Sequence, residues 1–340
     1  MHDSILQFAT QLSFKPEIKN GPADAHGLPA ARLQERGQAT LSAAQAGKKI
    51  VFAGMGGSSL AASLLKIFDP FADVVAHRDY GLPSLSQETL AESLLIASSY
   101  SGNTEETIDF AEHVLRIGLR PAVIASGGKL LKMAEEERLP YIRIPDTVIM
   151  PRVAVGLSLV ALAGLVSRTD LLQELERVSS MLVPANEEDE GKRIGRELSG
   201  FIPLVYSSVQ NGPVAYNWKI KINETAKTPV FVNVFSELNH NELAGFTKNE
   251  KGPKGPFKVL FIKDERDQRR ILDRMSVTKE MLSGFGVPSC ETLLSGETPI
   301  ECALRSLVIA DWTAYHLALS YGMDPDNNPT VEEFKKMISR

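Results

Sequence analysis

The stretch Ser99-Tyr100-Ser101-Gly102-Asn103-Thr104 stands between an apolar run, Leu94–Ala97, and an amphipathic segment, Glu105–Ile117. Strand, hydroxyl-rich loop, helix is the arrangement of an anion site. The first N–H groups of a helix lack internal partners, and the macrodipole favours negative charge there. Ser99, Ser101 and Thr104 supply hydroxyl donors, and Gly102 permits close backbone approach. A nucleotide loop of the G-x-x-x-x-G-K-[ST] type needs a Lys for the outer phosphates; none stands here, so a single phosphate ester is the expected guest. The alternative is a capping loop with no ligand. A second turn, Gly54-Met55-Gly56-Gly57-Ser58-Ser59, follows the apolar segment Lys49–Ala53. It departs from the dinucleotide fingerprint G-x-G-x-x-G, because Ser59 holds the third glycine position. It is read as a loop lying close to a sugar, with Gly57 and Ser58 nearest, or else as a tight turn alone.

Three further groups carry charge where charge needs a reason. Arg152, after Pro151, opens the nearly chargeless segment Val153–Val166, where the positive dipole end disfavours a cation; a ligand or a surface salt bridge would explain it. Glu224 lies in Asn223-Glu224-Thr225-Ala226-Lys227, with Ile220 one turn before and Ile222 near it. A carboxylate at the border of an apolar face is a candidate general base, or a solvated helix-end Glu. His240, within Glu237-Leu238-Asn239-His240-Asn241-Glu242, lacks a second His or Cys at ligand spacing, so acid/base work suits it better than metal binding. His77 and His113 sit among ordinary strand and helix residues and read as structural.

These groups must be positioned by regular elements. The pattern predicts strands over Lys49–Ala53, Val74–His77, Leu94–Ala97, Pro121–Ala125 and Tyr141–Ile144. Helices are predicted over Leu28–Ala46, Leu60–Phe68, Ser84–Glu92, Glu105–Ile117, Lys129–Glu137 and Val153–Val166. Such alternation means a mostly parallel sheet with helices on both faces. Ser167–Glu190 is polar, holds Pro184, and is read as the boundary region, dividing the chain into domains 1–185 and 186–340. The pattern then returns: strands Ile202–Tyr206, Val230–Val232 and Val259–Ile262, helices Val214–Ala226, Asp267–Phe285 and Glu301–Leu319. Thr247–Pro256, with its Lys, Gly and Pro, reads as a mobile exposed loop. The chain is a tandem of two similar α/β units.

Composition sets limits. A net charge of −5 argues against a dedicated nucleic-acid binder. Cys290 and Cys302 are too few for a disulfide framework and read as core thiols in a reducing cytoplasm. No apolar window reaches the roughly 18 residues of a membrane span, and Met1–Lys15 does not read as a signal peptide.

Taken together, Gly56-Gly57-Ser58, Ser99–Thr104, Pro151-Arg152, Asn223–Lys227 and Leu238–Glu242 resemble the sugar isomerase (SIS) domain proteins. More specifically, they are similar to the bifunctional phosphoglucose/phosphomannose isomerases, over nearly the whole chain. The resemblance implies two tandem SIS-type, flavodoxin-like α/β domains. It implies isomerisation of a hexose 6-phosphate through a cis-enediol(ate), with no cofactor and no metal. Ser99, Ser101 and Thr104 would clamp the phosphate, and Gly57 and Ser58 would line the sugar. Glu224 would move the proton between C1 and C2, and Arg152 would stabilise the charge that develops. His240 would open the pyranose ring across a homodimer interface, assisted by a C-terminal lysine, Lys335 by pattern or Lys336. Relatives often carry Thr-Pro after the Asp-Pro of the last helix. Here the stretch is Asp324-Pro325-Asp326-Asn327-Asn328-Pro329-Thr330, which bears on whether both epimers are accepted. The alternatives are a sugar-phosphate sensor without chemistry and an aminosugar-phosphate isomerase. A sensor would have no need of Glu224 and His240 and would usually carry a DNA-binding helical domain, for which the first 30 or so residues are too short.

Overall fold

The computed structural model describes residues 1–21, 48–147, 149–246 and 255–338. The helix expected over Leu28–Ala46 and most of the loop expected over Thr247–Pro256 lie outside the described residues. The chain forms two compact units, residues 7–182 and residues 1–6 with 183–340.

The first unit is built on a six-stranded sheet. Its strands are β1 (Ile18–Lys19), β2 (Ile50–Ala53), β3 (Val74–His77), β4 (Leu94–Ser99), β5 (Ala122–Ala125) and β6 (Tyr141–Arg143). The order is β1-β6-β5-β4-β2-β3, with β1 antiparallel to β6 and every other pairing parallel. Strands β2, β4 and β5 are buried along their whole length, as a sheet covered on both faces requires. From β2 the chain runs to β3 on one side and then to β4 on the other, so the sheet reverses direction between β2 and β4. That is the flavodoxin-like order, in which ligands bind beyond the carboxyl ends of the strands at the reversal. Helix Val155–Leu165 is buried on nearly all sides and packs on helix Gly56–Phe68.

The second unit repeats the scheme with β7 (Ile202–Ser208), β8 (Phe231–Phe235), β9 (Phe257–Lys263) and β10 (Ser289–Leu293). They are ordered β10-β9-β7-β8 and all parallel. Here too the reversal falls beside the central strand, between β7 and β9. Helix Gly212–Ala226 packs along helix Pro299–Ser320, and a buried ion pair joins them: Lys221 Nζ lies 2.6 Å from Asp311 Oδ2, both side chains fully out of water. Helix Pro299–Ser320 starts with Thr298 as N-cap, its hydroxyl accepting from the Glu301 N–H at 3.2 Å, and Pro299 in the first turn.

The polar stretch Ser167–Glu190 is largely helical. Leu171, Leu175 and Val178, at i, i+4 and i+7, bury one face of helix Thr169–Met181, and a second helix, Glu188–Leu198, follows a short turn. Low mean hydropathy concealed a narrow apolar stripe. Strands β1 and β10 are additions to the expected set. Both cysteines are buried and free, and burial pushes the Cys290 thiol up to about 12.

Candidate active site

The first unit's reversal point is flanked by the loop Ser99–Thr104 after β4 and by the turn after β2, where the helix starts at Gly56, so that Gly57 and Ser58 lie in its first turn rather than in the loop expected over Gly54–Ser59. The loop is held by its own hydroxyls. Ser99 Oγ and Thr104 Oγ1 are 2.8 Å apart, and Ser99 Oγ accepts from the Gly102 N–H at 3.1 Å. The exposed Ser101 accepts from the Asn103 N–H at 3.2 Å. Gly102 adopts φ +67°, and a Cβ there would stand 1.8 Å from the Gly127 carbonyl oxygen. No other residue fits. The loop and the helix start are joined by Ser58, whose buried hydroxyl accepts from the Tyr100 N–H at 3.1 Å and keeps its proton to donate.

Arg152 lies in the turn that precedes helix Val155–Leu165 rather than in the helix's first turn, and is 2 % exposed. Its backbone closes on the glycine turn: a Cβ on Gly57 would meet the Pro151 carbonyl oxygen at 2.4 Å and Arg152 Cα at 3.0 Å. Gly57 is therefore a packing requirement. It lets the backbone of Pro151 and Arg152 pack against the start of the helix.

The two flanking helices differ in what their N-termini offer. Helix Glu105–Arg116 carries Glu105 and Glu106 in its first turn, which already complement its dipole. Helix Gly56–Phe68 has no acid in its first turn and no side-chain cap on Met55. An anion is better received by that end and by the hydroxyls of Ser99–Thr104. The place is thus lined by hydroxyls and by a helix start without an acid.

In the second unit Glu224 is half-buried near the carboxyl end of helix Gly212–Ala226, where the macrodipole disfavours negative charge. The helix ends at Lys227 in the left-handed conformation, φ 52°. Lys227 Nζ donates to the carbonyls of Thr225 at 3.0 Å and Asp324 at 2.7 Å, tying this end to the Asp324-Pro325 turn. Backbone donation from Asp326 holds the Asp324 carboxyl below the usual carboxylate range.

His240 is exposed just after a short 3₁₀ turn, Glu237–Asn239, that follows β8. Glu242 accepts from the Tyr206 hydroxyl at 2.5 Å and from the Asn233 amide, while Asn239 donates to Thr278 Oγ1 at 2.9 Å. Burial, then the bond to Glu242, pushes the Tyr206 phenol far above its ordinary value, so it stays a donor. Lys335 is exposed on the terminal helix Pro329–Ile338, paired with Glu332 at 2.8 Å; Lys336 follows it on the same exposed helix.

Gly57 and Ser58 in the first turn of helix Gly56–Phe68, the loop of Ser99, Ser101 and Thr104, and the turn of Arg152 thus form one set of contacting segments. Glu224, His240 and Lys335 stand on three separate elements of the other unit. Tyr206, Asn233 and Thr278 are partners that local spacing did not reveal. His77 and His113 hold backbone: their rings lie 3.1 Å from the Gly81 carbonyl and 2.9 Å from the Asp109 carbonyl.

The second unit's own reversal point is filled differently. Asn211 Nδ2 donates to Ser208 Oγ at 3.1 Å and to Asp264 at 3.4 Å, and Arg266 Nε donates to Asp264 at 2.8 Å. Burial and the neighbouring Asp264 charge raise the Asp267 carboxyl. With two carboxylates and a committed guanidinium, this crevice repels an anion. Among the described residues no cluster of His, Cys, Asp and Glu could hold a metal, and no helix is long and apolar enough to cross a membrane.

Residues 187–338 match the family described as the bacterial phospho-glucose isomerase C-terminal SIS domain. Over 301 residues the chain is 33% identical to a bifunctional phosphoglucose/phosphomannose isomerase of Aquifex aeolicus, covering 86% of this chain and 91% of that one. It is 32% identical over 309 residues to an enzyme of the same name from Caldicellulosiruptor bescii, covering 86% and 89%. Among solved structures, a glucose-6-phosphate isomerase from Chlamydia trachomatis matches with a TM-score of 0.67 over 98% of this chain and 77% of that one. At 14% identity that likeness speaks for the fold alone.

Proposed function

Because the chain belongs to the bifunctional phosphoglucose/phosphomannose isomerase family, we propose that it interconverts glucose 6-phosphate or mannose 6-phosphate with fructose 6-phosphate. The hydroxyls of Ser99, Ser101 and Thr104 grip the 6-phosphate, with Gly57 and Ser58 along the sugar. The phosphate is remote from C1 and C2, so its binding energy serves to position the reacting carbons. His240 opens the pyranose ring, and Lys335 assists. Glu224 takes the proton from C2 of the aldose; the C2–H electron pair forms the C1–C2 double bond as the C1 carbonyl pair moves onto O1, giving a cis-enediol(ate). The proton then returns to C1 as the C2 carbonyl forms and the O2 proton passes to O1. Arg152 stabilises the negative charge on that intermediate. Moving one proton calls for a carboxylate rather than a redox cofactor.

The observation that supports this reading is the hydroxyl loop Ser99–Thr104, shaped by Gly102 at φ +67° and tied through Ser58 to the start of helix Gly56–Phe68, whose first turn carries no acid. The working form in this proposal is a cytoplasmic homodimer in which His240 reaches the neighbouring subunit's site. The test is a coupled assay of purified protein with glucose 6-phosphate and mannose 6-phosphate supplied separately. Turnover of both is expected. Turnover of one alone removes the dual specificity, and turnover of neither overturns the proposal.

A further inference from the structure

The segment Glu237–Glu242 spends its polar side chains on holding itself still. Leu238 is buried in the second unit's core, with Tyr206, Phe235 and Phe261. Asn239 donates to Thr278 Oγ1 at 2.9 Å and accepts from Arg274 at 3.2 Å, which fixes it to helix Arg269–Gly284. Asn241 Nδ2 donates to Glu237 Oε1 at 2.8 Å. Glu242 has both carboxylate oxygens engaged, one by Tyr206 on β7 at 2.5 Å and the other by Asn233 on β8. Among the described residues, the His240 ring alone in this segment has no hydrogen-bond partner. It is also exposed.

We propose that Tyr206, Asn233 and Glu242 are positioning residues for His240, clamping from the sheet side the segment that Thr278 and Arg274 clamp from the helix side. A carboxylate taking two donors is charge-assisted at both oxygens, and each such bond is stronger than a neutral one. Phenol and amide come from adjacent parallel strands, with Tyr206 directly beside Asn233 in the register. The clamp is therefore anchored in the sheet, on β7 and its edge neighbour β8. An imidazole held at both flanks and left unpaired loses little entropy when it meets a sugar oxygen.

The inference rests on the assignment of ring opening to His240, so the experiment separates the two. Tyr206→Phe removes the hydroxyl and leaves the ring against Phe235 and Phe261, 6.3 and 6.1 Å away between centroids. Steady-state kinetics on glucose 6-phosphate are measured for Tyr206→Phe, His240→Ala and the double variant. Tyr206→Phe is expected to lower kcat about tenfold with KM within about twofold, and to add nothing in the His240→Ala background. Asn233→Leu, acting on the other oxygen, should show the same pattern, which keeps the test open should Tyr206→Phe fold poorly. An equal loss in both backgrounds, or no loss at all, overturns the clamp. Wild-type kcat in His240→Ala overturns the role of His240 itself, and the clamp with it.

Discussion

The proposed proton abstraction from carbon asks for a carboxylate short of water, and Glu224 is half-buried at a helix end. Glu224→Gln keeps the shape and removes the base. It should lower kcat by about 10²–10⁴-fold while phosphosugar binding, followed by calorimetry, survives. Loss of binding together with activity would make Glu224 structural. The candidates stood out in the chain because their signals are local: Glu224 beside isoleucines, Arg152 heading a chargeless run, three hydroxyls around one glycine. Tyr206 and Asn233 did not. Each is an unremarkable strand residue until the sheet forms and brings Glu242 to both.

Elements were legible where strong periodicity met clear punctuation, as in β2, β4 and the helices that follow them. They were misread where polar residues outnumber apolar ones. Helix Thr169–Met181 shows its purpose only through Leu171, Leu175 and Val178, and with Pro184 nearby the stretch was read only as a boundary region. Strand β10 escaped because only alternate residues, Cys290 and Thr292, are buried. At this scale the glycine between Ser101 and Asn103 decides whether the anion loop can exist. Gly102→Ala forces an L residue into φ +67° and drives a Cβ into the Gly127 carbonyl. The conformation alone should cost about 1–3 kcal/mol. Chemical denaturation should show that loss, and phosphosugar affinity should fall with it. A variant as stable as the parent would mean that the loop has room to rearrange.

For the whole molecule, the flavodoxin-like order appears twice, and strand–helix alternation was enough to anticipate the doubling. What alternation could not tell is how differently the two reversal points are furnished, since that depends on Asn211, Asp264 and Arg266 meeting across the sheet. In the proposed homodimer His240 serves the neighbouring subunit. Mixing inactive Glu224→Gln and His240→Ala proteins then creates one complete site in each mixed pair. After free subunit exchange, activity should recover to about a quarter of the parent value, as random pairing in a two-fold dimer requires. No recovery, with exchange demonstrated, would mean that His240 acts within its own chain. The furnishing of the second reversal point also bears on inhibitors. Asp264 and Asp267 leave no room there for an added anion, so a phosphate-anchored compound gains nothing from a second arm reaching for that crevice. In the proposed reading, tighter compounds grow from Ser99–Thr104 outward.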